Sequence, residues 1–139
     1  MMLDSEGNRF FSPGLKMSNK PISERLQVKV NRRLAVLGAA PELDRTVGAL
    51  DARAEIPDAD VVLLFAPNRS TLDAKLPSIL ATASPSAILW IAYPKLTSHL
   101  AQDLSRDVIR NLAPGFELDT VSQIAIDDDW SALRLKRVK

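Results

Sequence analysis

Short apolar runs alternate with helix-like segments along most of this chain. The runs are compact and mostly uncharged, as in parallel strands that helices cover on both faces. The segments between them repeat apolar residues at the three- and four-residue spacing of a helix. The strand-like runs are RRLAVLGAA (32–40), ADVVLLFAP (59–67) and SAILWIAYP (86–94), and the helix-like segments are PELDRTVGAL (41–50), STLDAKLPSILATA (70–83) and LSRDVIRNLA (104–113).

The C-terminal region departs from this alternation. Two strand-like runs, FELDTVSQIAI (116–126) and SALRLKRV (131–138), follow each other with no helix between them. Consecutive strands joined by a turn predict an antiparallel hairpin, whereas the alternation before them predicts parallel strands with right-handed crossovers. The pattern therefore predicts an α/β fold, a three-layer sandwich whose mostly parallel sheet ends in an antiparallel C-terminal hairpin.

Smaller features refine this prediction. The segment ARAEI (52–56) is a candidate short second strand, and a short helix is expected from Pro21 to Gln27. In the helix that follows residue 67, Ser70 is the expected cap, with Asp73 three residues on. Pro77 is expected to kink or restart that helix, because proline lacks the amide hydrogen that a helix interior needs.

Composition narrows the class of protein. The 139 residues are 46% hydrophobic and 25% charged, with a net charge of +1 and no cysteine. We predict a single domain over residues 21–139, preceded by a flexible tail over residues 1–20. The charge balance gives no drive toward nucleic acid or membrane, and no apolar run approaches the length of a membrane span. A cytoplasmic location is expected.

The predicted topology resembles the Rossmann-like sheet of S-adenosylmethionine-dependent methyltransferases, whose last two strands form such a hairpin. In open α/β sheets, ligands bind beyond the carboxyl ends of the strands. Four loops are expected at that edge: LGAAP (37–41), APNRS (66–70), YPKLTSH (93–99) and IDDDW (126–130).

A cofactor of the methyltransferase type needs a glycine-rich first turn and an acid about 20 residues further on to hold ribose hydroxyls. Gly38 is a lone glycine in LGAAP, and Glu55 stands near the expected distance. No cofactor is therefore predicted, and S-adenosylmethionine is kept as the alternative, with Gly38 and Glu55 as its candidate contacts.

The candidate site for an anionic ligand centres on two cations at strand ends, Arg69 and Lys95, with hydroxyl donors at Thr97 and Ser98. Cations and hydroxyls of this kind bind phosphate or carboxylate groups. The alternative is that Arg69 and Lys95 pair with the acidic turn. His99, the single histidine, is the one side chain able to transfer protons near neutral pH without a shifted pKa.

The acidic turn places three consecutive aspartates before Trp130. Asp127 and Asp129 are candidate ligand contacts, but aspartates are also common turn and capping residues, and that structural interpretation is preferred. A metal site is not predicted, since consecutive residues rarely converge on one ion. Trp130 is expected to anchor the hairpin, with stacking on a ligand as the alternative.

Separated motifs, DVVLLFA, AILWIAYPK, DLSRDVI and AIDDDWSALRL, together resemble a family of small uncharacterised bacterial proteins, a domain of unknown function. Pro94-Lys95 and Asp129-Trp130-Ser131 carry the resemblance, which spans Ile22 to Lys139. It implies a Rossmann-like, methyltransferase-like fold and no defined activity.

The leading hypothesis is therefore a non-catalytic or cryptic Rossmann-like module that binds a small anionic ligand or a protein partner at the carboxyl edge of the sheet. A reduced methyltransferase-like enzyme and an interaction or assembly subunit are the alternatives.

Overall fold

The structure is a computed structural model and describes residues 21–138. The predicted tail over residues 1–20 lies outside this range. The helices are α1 (Ile22–Arg25), α2 (Pro41–Val47), α3 (Arg69–Thr82) and α4 (Arg106–Leu112), and the strands are β1 (Leu34–Leu37), β2 (Val61–Phe65), β3 (Ile88–Pro94), β4 (Leu118–Ala125) and β5 (Trp130–Arg137). Within the described residues, no helix is both long enough and apolar enough to cross a membrane.

The strands form one five-stranded sheet in the order β1-β2-β3-β5-β4. β1, β2 and β3 pair in parallel, β5 pairs antiparallel with β3, and β4 pairs antiparallel with β5. Strands β4 and β5 are the predicted C-terminal hairpin, and the hairpin inserts so that β5 lies beside β3. The predicted fold class is confirmed.

Apolar side chains alternate between the two faces of the sheet. A different pair of helices covers each face. One face packs against α3 and α4 through residues that include Leu72, Leu76 and Ile109. The other packs against α1 and α2 and the hairpin turn through Leu26, Val47 and Trp130. The predicted three layers are therefore present, and the helices on the second face are short.

The expected second strand at 52–56 is wrong in extent. Only Arg53 bridges to Leu34 of β1, and 3₁₀ turns at Leu50–Ala52 and Ile56–Asp58 flank it. The Arg53 guanidinium bonds Asp44 Oδ1 at 2.7 Å and the Gly48 carbonyl at 2.9 Å. These bonds tie the segment to α2. Pro57 in the following turn has no amide hydrogen to donate to a neighbouring strand, so the single bridge does not extend into a strand.

Helix α3 also departs from prediction. Its cap is Asn68, whose Oδ1 accepts from the backbone amide of Thr71 at 2.9 Å and from the Thr71 hydroxyl at 2.8 Å. The helix continues through Pro77 without a break. Pro77 has no amide hydrogen to donate to the Asp73 carbonyl one turn earlier. Both residues are exposed, and the Asp73 carbonyl is therefore open to water.

Candidate functional site

The connections that follow β1 and β2 leave the sheet on opposite faces. β1 runs into α2, which packs on the face containing Trp130, whereas β2 runs into α3, which packs on the face containing Leu89. Two neighbouring parallel strands with helices on opposite faces open a crevice between their carboxyl ends. The structure therefore has a switch point between β1 and β2, where a ligand is expected.

A cleft of about 410 Å³, here called the first cleft, lies at this switch point. Its volume falls in the range of small-molecule sites. It contains both residues proposed from the sequence for a cofactor, Gly38 and Glu55, and its lining includes Leu37, Gly38, Glu55, Phe65, Thr71 and Lys75.

Gly38 permits the close approach of β1 to β2 at the base of this cleft. Its φ is +79°, and an added Cβ would lie 2.8 Å from the carbonyl oxygen of Phe65. Both the backbone angle and the space therefore require glycine at this position. The close approach of this loop to β2 therefore depends on a single glycine and not on a glycine-rich turn.

Glu55 stands beside β1 because the segment before it is fastened there. The amide of Ala54 donates to the carbonyl of Leu34 at 3.0 Å, and Arg53 is bonded to Asp44. The Glu55 side chain is exposed within the cleft lining. An exposed carboxylate in this place is free to accept hydrogen bonds from hydroxyl groups of a ligand.

A second cleft, of about 370 Å³, lies between the end of β3, the start of α4 and the hairpin. Because β3 is parallel to β1 and β2, this second cleft opens at the same edge of the sheet. Lys95 and Thr97, both proposed from the sequence, lie in its wall, and the lining includes Tyr93, Lys95, Thr97, Arg106, Asp107 and Ser131.

Tyr93 is the most deeply buried polar side chain in this lining, with 3% of its surface exposed. The Ser131 side chain lies close enough to its hydroxyl to act on it as a polar neighbour, but the two groups fall short of full hydrogen-bond geometry, and no other group among residues 21–138 reaches it. Burial raises the pKa of the Tyr93 phenol above its usual value, while the charge of Arg106 and the neighbouring Ser131 hydroxyl act in the opposite direction. The phenol is therefore protonated at neutral pH and is a hydrogen-bond donor.

The acidic turn is held by its own hydrogen bonds. Asp127 Oδ1 accepts from the amides of Asp129 and Trp130, both at 2.8 Å. This is an aspartate-stabilised turn, and it orders the chain between β4 and β5. Trp130 is buried and packs edge-on against Phe65, with ring centroids 5.1 Å apart.

Asp129 joins the turn to the loop after β3. Its Oδ1 accepts from the Ser98 hydroxyl at 2.8 Å and lies 4.0 Å from His99 Nδ1, and its carbonyl accepts from the Lys95 amide at 2.8 Å. The His99 side chain is 81% exposed. No cluster of three or more acids and histidines within residues 21–138 is arranged to hold a metal ion.

Within the described residues, Arg69 pairs with acids other than those of the acidic turn, which was expected to stand near it. It begins α3, where its amide donates to Asp103 Oδ1 at 2.8 Å and its Nε lies 3.7 Å from Asp73 Oδ2. The sequence placed Arg69 with Lys95 because both follow strand ends. In the structure Lys95 lines the second cleft and Arg69 does not, and Arg69 pairs with Asp73 one turn along its own helix.

Comparison with solved structures identifies the architecture, whereas no protein-family model and no curated protein matches the sequence. A ribosomal protein L11 methylase from Lactobacillus delbrueckii subsp. bulgaricus matches with a TM-score of 0.56 and 12% identity, over 85% of this chain and 75% of that one. The B. subtilis M1A22 tRNA methyltransferase TrmK matches with a TM-score of 0.52 and 9% identity, over 88% and 67%. A DhpI complex with SAH matches with a TM-score of 0.50 and 12% identity, over 85% and 83%.

This chain has a methyltransferase-like Rossmann fold. This finding contradicts two expectations drawn from the sequence, namely the leaning toward a non-catalytic module and the absence of a predicted cofactor. The matched folds include methyltransferases, and one was solved with SAH. The lone glycine of LGAAP, which argued against a cofactor, is compatible with the fold because one glycine meets the steric requirement of the first turn.

Tyr93 and Arg106 were not among the site residues predicted from the sequence. Tyr93 was counted with the apolar residues of β3, and Arg106 with the residues that begin α4. Alternation along a strand places Tyr93 and Lys95 on the same side, and this period of two was the available signal. Nothing in the sequence brings α4 to that side, so Arg106 had no signal.

Proposed function

We propose that this protein binds S-adenosylmethionine in the first cleft and transfers its methyl group to an acceptor. The observation that carries the proposal is the position of the first cleft at the switch point between β1 and β2. That is where open α/β sheets bind their ligands. The fold shared with methyltransferases, including a structure solved with S-adenosylhomocysteine (SAH), supports this choice of cofactor.

The residues of the first cleft fit the parts of this cofactor. Glu55 offers an exposed carboxylate to ribose hydroxyls, the role that an acid in this place has in related sheets. Leu37 and Ile56 offer apolar walls for the adenine ring, and Lys75 offers a cation for the methionine carboxylate. Gly38 lets the two strands close at the base.

When bound, the cofactor supplies an activated methyl group. The chain's own residues would bind and orient it, and would present the acceptor at the same edge of the sheet. This is catalysis by proximity, which requires the two molecules to be held in one geometry.

Isothermal titration calorimetry of S-adenosylmethionine and SAH against the full chain tests the proposal. We expect saturable binding of both, and Glu55→Gln is expected to weaken it about tenfold, because a hydrogen bond to a charged group is lost. Glu24→Gln is the matched control, since Glu24 is an exposed glutamate on α1 outside the first cleft.

An absence of saturable binding of either compound at millimolar concentration would contradict the proposal. Equal affinity in the wild type, Glu55→Gln and Glu24→Gln would leave the cofactor proposal intact but remove Glu55 from the site.

A further inference from the structure

The second cleft contains a donor whose hydrogen bonding is incomplete. The Tyr93 hydroxyl is buried, and Ser131, the polar group beside it, does not reach full hydrogen-bond geometry with it. Leaving a buried polar group unpaired costs stability, and such groups in folded proteins call for an explanation. A ligand with an acceptor oxygen would supply the hydrogen-bond partner that the Tyr93 hydroxyl lacks.

The charges around Tyr93 favour a negative ligand. Lys95 and Arg106 line the cleft together with one acid, Asp107, which leaves one net positive charge. No acid within the described residues lies at ion-pair distance from Lys95, and Arg106 Nε is 3.6 Å from Asp107 Oδ1. Both side chains of that pair are more than half exposed, so the attraction between them is weak.

Hydroxyl groups add neutral donors to the same wall. Thr97 and Ser131 line the cleft, and Ser131 is 4% exposed. Two cations, a phenol and two hydroxyls are the set that binds an oxyanion, because each can donate to an oxygen that carries negative charge.

We propose that the second cleft binds an oxyanion group, carboxylate or phosphate, of the molecule that accepts the methyl group, through Lys95, Arg106 and the Tyr93 hydroxyl. That the bound molecule is the methyl acceptor rests on the proposed function, whereas binding of the anion itself does not require a cofactor. Both clefts open at the same edge of the sheet, on the side covered by α3 and α4, as a transfer between their occupants requires.

The first test is a titration of the full chain with inorganic phosphate, and separately with acetate, followed by ¹H–¹⁵N correlation spectra at constant ionic strength. We expect saturable shifts of the amide signals of Tyr93, Thr97, Arg106 and Ser131. Lys95→Ala and Arg106→Ala are each expected to weaken binding about tenfold, the effect of losing a charged hydrogen bond. The anion that binds with the higher affinity indicates whether the methyl acceptor carries a phosphate or a carboxylate.

Arg69→Ala is the matched control. Arg69 and Arg106 each begin a helix, each lies near an acid, and their side chains are 52% and 51% exposed. Arg69 lies outside both clefts. We expect Arg69→Ala to leave the affinity for phosphate unchanged, and equal losses in Arg69→Ala and Arg106→Ala would overturn the proposal.

Tyr93→Phe separates a binding role from a structural one. Because the hydroxyl makes no hydrogen bond of full geometry within residues 21–138, its removal is expected to leave the melting temperature unchanged or to raise it. The same variant is expected to weaken binding of the preferred anion about tenfold. A lower melting temperature without ligand, or unchanged anion affinity, would overturn the part assigned to Tyr93.

Calorimetry with S-adenosylmethionine on the same samples distinguishes the two proposals. Anion binding without cofactor binding would overturn the proposed function and leave the anion site standing. Cofactor binding with no saturable shifts from either anion would overturn the anion site alone.

Discussion

Gly38 shows how one residue sets the geometry of the first cleft. Its positive φ and the 2.8 Å approach of a Cβ to the Phe65 carbonyl leave no room for a side chain. The sequence marked this glycine as weak support for a cofactor turn. The structure gives it a role in the approach of two strands, which is needed whether or not a ligand binds.

Gly38→Ala is therefore expected to lower the free energy of unfolding by about 1–3 kcal/mol, because it adds backbone strain and a steric clash. Gly115→Ala is the control, since a Cβ there meets nothing within 4 Å and its φ is not positive. The change at Gly115 is expected to stay within about 0.5 kcal/mol. Urea denaturation of both variants measures the difference, and equal midpoints would contradict the steric account.

The β4–β5 hairpin is closed and positioned by two aspartates of its turn. Asp127 closes its turn by accepting two backbone amides, and Asp129 connects the turn to Ser98 in the loop after β3. Turn chemistry was readable from the sequence, because aspartate bonds to amides two and three residues ahead. The tie to Ser98 was not readable, since it depends on β5 pairing with β3.

Asp127→Ala is expected to destabilise the protein by about 1–2 kcal/mol, because two amides lose their acceptor. Asp128 is exposed, and no hydrogen bond of its side chain occurs in the described part of the chain, so Asp128→Ala is expected to change stability by less than about 0.5 kcal/mol. Thermal unfolding followed by circular dichroism compares them. A similar loss in both variants would mean that charge, rather than the turn bonds, stabilises the hairpin.

At the scale of the whole molecule, the two clefts share an edge of the sheet but have no lining residue in common. Groups that share no partners contribute to binding nearly independently.

The predictions of a flexible tail, a single domain, a cytoplasmic location and an assembly role stay predictions.

S-adenosylmethionine at 100 times its dissociation constant is expected to stabilise the folded protein by about 2.7 kcal/mol. Lys95→Ala is expected to leave this stabilisation unchanged, because Lys95 lies in the second cleft only. Glu55→Gln is expected to reduce it by about 1.4 kcal/mol, the equivalent of a tenfold weaker affinity. Differential scanning calorimetry measures each shift, and a large loss in Lys95→Ala would show that both clefts hold one ligand.

The layers, the mostly parallel sheet and the C-terminal hairpin were predictable from the amino-acid sequence, because they follow from local apolar periodicity and turn residues. Which side chains meet was not predictable, because contacts between distant residues depend on the packing of the whole fold. Ser98 and Asp129 are 31 residues apart in the chain, and the Arg69 amide and Asp103 are 34 apart. Such pairings depend on how loops pack against one another, and that packing placed Arg106 and Tyr93, rather than Arg69, beside Lys95.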